Sequence, residues 1–230
     1  MNALAEDSIA GWLRGLGGAV PGPQARPALP GPEVGLADGP LLQSALSGAF
    51  YGPLQAALQR LPEGAGMSEL ATSVGHWLDF CRGRLRGLFE QLDDRDRLTF
   101  ALVPALLHFN AQGLPGFSRG LDACHGIRHF DFNPLLQRAC ARQFPGRLET
   151  LTEPTTPAIR SLFAVGRAGT IGAEEEAGID FWVVLDELDL TAPQQAELLD
   201  RIDSIEGWAA KRGLALRFFL VDTERAREHD

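Results

Sequence analysis

Residues 165–187 read VGRAGTIGAEEEAGIDFWVVLDE. A glycine-rich turn runs into three consecutive glutamates, and then into an apolar run with Asp180 as its second residue. That order raises the chemistry of a metal–nucleotide site. Small residues let a backbone approach phosphates closely. A carboxylate on a strand beside such a turn can face the same ligand. Glu174, Glu175 and Glu176 read more simply as a solvated acidic turn.

A second set of ligating residue types is Cys124-His125 with His129. A closed metal site needs four ligands, and this stretch does not supply the full set, so it reads as a loop with ordinary polar residues. The remaining cysteines, Cys81 and Cys140, are widely spaced and form no C-x-x-C. Three well-separated cysteines fit reduced thiols in a cytoplasmic protein better than a disulfide framework.

The elements that would hold these residues fall into two halves. Residues 2–15 read as a short helix capped by Asp7 or Ser8. Residues 15–40, GLGGAVPGPQARPALPGPEVGLADGP, read as an arm or linker, because repeated prolines remove backbone donors. From Leu41 to Asn110 the period is helical. Leu41, Leu42, Leu46 and Phe50 share one face until Pro53 interrupts. Ser68 is placed to cap a second helix with Leu70, Val74, Trp77, Leu78 and Cys81 on one face. Asp93 or Asp94 starts a third through RLTFALVPALLHF, apolar on nearly every side and so buried. Asn133-Pro134 reads as cap and first-turn proline of a fourth.

The period then changes. Residues 159–166, 179–186 and 214–222 read as strands. Between the last two, Thr191 and Gln194 fit a capping box. They open a helix with Leu198, Leu199, Ile202, Ile205 and Trp208, which Gly213 ends. Trp182, Phe218 and Phe219 read as core. Lys211 and Arg212 suit the negative end of the helix dipole. His108 reads as a core or interface histidine held by a hydrogen bond.

The chain has 230 residues and is 45% hydrophobic, enough for a real core. Its formal net charge of −9 argues against nucleic acid and anionic membranes as partners. It shows no signal peptide and no apolar run long enough to span a bilayer.

The blocks FAVGRAGTIG, GIDFWVVLD and GWAAKRGLALRFFLVDTERAREH, in that order, resemble the N-terminal domain of class I, enterobacterial-type adenylate cyclases. Upstream, ALVPALLHFNAQGLPGF is similar to that bacterial family's Leu-Leu-His helix and Leu-Pro-Gly signature. The resemblance covers roughly Leu98 to Arg227. It implies a nucleotidyltransferase-like fold and the conversion of ATP to cyclic AMP and pyrophosphate, with Mg²⁺ or Mn²⁺ as cofactor. The family pattern is Gly-Ser at the turn, a Gly/Ser-rich loop, then Asp-x-Asp-x-Trp on the next strand. Two carboxylates two apart on a strand share a face and can share metals that neutralise a triphosphate. The ribose 3′-oxygen then attacks the α-phosphorus.

Position by position, Gly166 matches the turn glycine, Gly172 the loop glycine, Asp180 the second carboxylate and Trp182 the tryptophan. Arg167 stands where the serine belongs, and Gly178 where the first carboxylate belongs. The resemblance thus gives Asp180 the metal and catalytic roles, and Gly166, Arg167 and Gly172 nucleotide contacts. Arg167 either pairs with phosphate or pairs with Asp180 and fills the vacated site; the second is favoured. Glu176 is a poor substitute ligand. Asp186 lies about 20 Å along the strand. A third carboxylate normally comes from the following strand, where the inward candidates are apolar or Arg217, with Asp222 at the strand end.

The sequence is therefore read as α+β: a helical N-terminal half, then a nucleotidyltransferase-like strand-turn-strand-helix-strand core. Residues 1–40 form the arm, 41–145 the helical region and 146–230 the core. The site is read as degenerate, a pseudoenzyme serving as an ATP-binding or regulatory module. The alternatives are an active cyclase and a structural remnant that binds a protein partner through the helical half or the arm. Because the family's enzymes are longer, the chain is also read as a fragment, an excised module or a truncated homologue.

Overall fold

The computed structural model describes residues 39–58, 67–120, 124–165, 178–185 and 190–222. The expected arm and the short helix before it lie outside them. Four helices come first: α1 (Gly39–Leu58), α2 (Met67–Gln91), α3 (Asp94–His108) and α4 (Pro134–Gln143). After a single 3-10 turn, Leu148–Thr150, come β1 (Ile159–Val165), β2 (Ile179–Leu185), α5 (Ala192–Ala210) and β3 (Leu216–Asp222). The fold is α+β, with a helical first half.

Local chemistry sets the helix ends. Asp93 caps α3, its Oδ1 accepting from the Asp96 N–H at 2.8 Å. Asn133 caps α4 by accepting from the Leu135 and Leu136 amides, with Pro134 in the first turn. At α5 the Thr191 N–H donates to Gln194 Oε1 at 2.8 Å. Gly213, at φ +97°, closes that helix in a conformation that suits glycine.

Two expectations about the helices need correction. Pro53 does not end α1. Proline removes the amide that would bond the carbonyl four residues back; that carbonyl, on Ala49, accepts instead from the Asp131 N–H at 3.2 Å. Ser68 lies in the first turn of α2 rather than before it.

The sheet has the order β1-β2-β3, with β1 antiparallel and β3 parallel to β2. Side chains alternate faces along a strand. Ile179, Phe181, Val183 and Leu185 of β2 are buried, whereas Asp180, Trp182 and Val184 face the other way. Phe181 stacks between Phe100 of α3 and Phe218 of β3, with centroids 5.6 and 5.1 Å away. Helix α3 is thus wedged against the sheet and is buried continuously from Thr99 to His108. The same alternation corrects the reading of Trp182 and Phe219 as core. Both are 47% exposed, because they stand on the face opposite this aromatic column. Phe218 packs against the core as expected.

Candidate functional site

Asp180 is the second residue of β2 and sits on the sheet's open face. The register places Val165 of β1 on one side of it and Arg217 of β3 on the other. The Arg217 guanidinium Nε–H donates to Asp180 Oδ1 at 2.7 Å. The carboxylate is mostly covered, with 24% of its side chain exposed, while Arg217 is 63% exposed. Gly166, Arg167 and Gly172 lie outside the described residues, as do Glu174, Glu175, Glu176 and Asp186. Of the expected site, the structure therefore places Asp180. The described partner of its carboxylate is Arg217; the expected pairing with Arg167 lies outside the described residues. A parallel β2–β3 pair in this register brings Arg217 directly opposite Asp180, at the strand from which a third carboxylate was sought.

Gly178 enters β2 beside the start of β3. The Ile179 N–H donates to the Ala215 carbonyl at 2.9 Å. A Cβ on Gly178 would lie 3.1 Å from that carbonyl oxygen and 3.3 Å from the Ala215 Cβ. The position at which the resemblance expected a first carboxylate is thus also a close backbone approach. Mg²⁺ demands near-octahedral oxygen ligands at short range. The described residues offer Asp180, already bonded to a cation, and no group of three or more His, Cys, Asp or Glu among them could hold an ion.

Residues 70–230 match the family model for the adenylate cyclase N-terminal domain. The chain belongs to that family. It is 29% identical over 154 residues to an adenylate cyclase of Proteus mirabilis, covering 64% of this chain and 17% of that protein. It is 29% identical over 136 residues to one of Yersinia pestis, and 28% identical over 142 residues to one of Escherichia coli K12, covering 56% and 57% of this chain. In each of those two the match covers 15% of the relative. The chain spans about one sixth of the length of these curated relatives. No solved structure matches it significantly.

Within this family domain the block ALLHFNAQGLPGF is built around a buried arginine. Arg201 of α5 is 2% exposed and donates to the carbonyls of Leu106 and Phe109, each at 3.1 Å, and to Asn110 Oδ1 at 2.7 Å. It satisfies acceptors at the C-terminal end of α3, where a helix leaves carbonyls unpaired. Burial pulls its pKa down to about 10, so it remains charged at neutral pH. Asn110 in turn exchanges two hydrogen bonds with the Ser118 backbone, and the Ser118 hydroxyl donates to Glu197 Oε1. Gly116, at φ +79°, lets the chain pass Arg201; a Cβ there would sit 2.7 Å from Arg201 Cγ. Arg201 escaped the sequence reading, although it lies on the same helix face as Leu198, Ile202 and Ile205.

The histidines join the same buckle. His108 Nδ1 accepts from the Ile127 N–H at 3.0 Å, which leaves Nε2–H to donate to Glu153 at 2.9 Å. It is a buried histidine held by hydrogen bonds, as expected. His125 Nδ1–H donates to the His108 carbonyl at 2.9 Å, and burial lowers its pKa. Cys124 is buried, and burial pushes its thiol up to about 11. Arg212 donates to Thr99 and Gln143 and covers the Trp208 ring, so it serves packing at the end of α5.

Proposed function

We propose that this chain is an adenylate cyclase-family domain that has lost the cyclising reaction and serves as a nucleotide-binding or regulatory module. The observation that carries this is the Arg217–Asp180 hydrogen bond of 2.7 Å. In the family's reaction the strand carboxylates hold metal, and the metal supplies charge neutralisation for the triphosphate. Here the retained carboxylate is neutralised by a guanidinium on the neighbouring strand, and its expected partner is Gly178. A fixed cation of this kind cannot polarise the 3′-hydroxyl or assist pyrophosphate departure as a metal does. It can hold a phosphate: Arg217 is exposed enough to turn from Asp180 toward an incoming anion.

The test is a cyclic AMP assay on the purified chain with ATP and Mg²⁺ or Mn²⁺, run beside Asp180→Ala. No product from either protein is expected. Metal-dependent turnover that Asp180→Ala abolishes would restore the active-cyclase reading, which the names of the relatives favour.

A further inference from the structure

A cavity of about 530 Å³ opens between α2 and the outer edge of β1. Seven large apolar side chains are exposed among the described residues; four of them, Trp77, Phe80, Phe163 and Trp182, line this one cavity. Its floor reaches the core at Phe100 and Phe181. A concentration of exposed aromatics over one hollow marks a binding surface.

The formally charged side chains among the described residues of this wall are all arginines. Arg84, Arg128 and Arg160 line the cavity, and no Asp or Glu is among its described lining residues, in a chain of net charge −9. Each guanidinium carries five donors, so it can take a carboxylate alongside the contacts it already makes.

The third feature is the strand edge itself. Consecutive residues from Arg160 to Val165 line the cavity, so it runs along the strand and not merely over one face. The outer edge of β1 is covered at its start, where Ile159 exchanges hydrogen bonds with Gly126 and Arg128. Beyond that point, no backbone hydrogen bond reaches the outer edge of Ser161–Val165 among the described residues. An open edge is a template for another strand. A purely apolar ligand in this groove would strip water from the outward amides and carbonyls and return nothing. An extended backbone would pair with them.

We propose that this groove takes an extended acidic segment of another protein as a fourth strand, added along β1. Its backbone pairs with Ser161–Val165, its apolar side chains enter the aromatic hollow, and its carboxylates meet the three arginines. This is strand addition at a sheet edge beside a helix. It is independent of whether nucleotide binds at Asp180.

The probe is a dye-labelled heptapeptide, Glu-Val-Glu-Phe-Glu-Val-Glu, titrated against the full chain by fluorescence anisotropy. Saturable binding is expected, with new amide-exchange protection across residues 161–165. Phe80→Ala and Arg160→Glu, both at exposed positions, should each weaken binding about tenfold while leaving the circular dichroism spectrum unchanged. A peptide with its Phe replaced by Pro, which cannot pair as a strand, should bind much more weakly. Absence of saturable binding would overturn the proposal, as would equal binding of the proline peptide. Binding of dodecanoate without binding of the peptide would overturn it too, by assigning the hollow to small amphiphiles.

Discussion

Asp180 and Arg217 stand opposite each other on parallel strands, joined by a 2.7 Å hydrogen bond from guanidinium to carboxylate. The pair lies at the edge of solvent, so its contribution to folding is small. Asp180→Ala should lower unfolding stability by less than about 1 kcal/mol, read from urea titration. A much larger loss would mean that Asp180 supports the fold rather than a site.

A carboxylate placed at position 178 should not by itself produce cyclase chemistry. In Gly178→Asp the new Cβ presses on the Ala215 carbonyl from 3.1 Å, and Arg217 still occupies Asp180. The substitution should cost roughly 1–3 kcal/mol of stability by overpacking and yield no metal-dependent cyclic AMP. Gly178→Asp combined with Arg217→Ala frees both carboxylates and should bind Mn²⁺ more tightly than the wild type in a calorimetric titration.

The buckle at Arg201 should be far more sensitive than the candidate site. Arg201→Met orphans the Leu106 and Phe109 carbonyls in a buried place and takes one hydrogen bond from Asn110, which keeps its two to the Ser118 backbone. Each unsatisfied group costs about 1–3 kcal/mol, so the loss should reach roughly 3 kcal/mol or more in chemical denaturation. Arg201→Lys should rescue little of it, since an ammonium cannot reach three acceptors in a fork.

His125 gives the domain an acid sensitivity. Burial lowers its pKa below the ordinary 6.5 in the folded protein. The unfolded chain therefore binds more protons below about pH 6.5. This contribution is fully present above that pH and is lost as pH falls toward the lowered folded value. His125→Asn keeps a donor for the His108 carbonyl but does not titrate. It should flatten the decline of stability between pH 7 and 5 relative to the wild type.

The division into helices and strands was legible because capping residues and period are local. Asp93, Asn133 and Gly213 act within a few residues of themselves. What failed to show was long-range. Pro53 looked like a terminator, because the residue that takes up its freed carbonyl, Asp131, is distant in sequence. Trp182 and Phe219 looked like core because their apolarity does not say which face of the sheet the helices cover. The candidate site was legible as residue types on one strand, and Arg217 was in view as a residue of β3. Its pairing with Asp180 depended on a parallel register that no local signal carries.

The most direct measurement is calorimetric titration of ATP into the purified chain with and without Mg²⁺, beside Asp180→Ala and Arg217→Ala. The expected result is binding whose affinity does not depend on Mg²⁺, which weakens in Arg217→Ala and survives in Asp180→Ala. Mg²⁺-dependent binding that disappears in Asp180→Ala would contradict it, and would mean that the carboxylate still holds a metal.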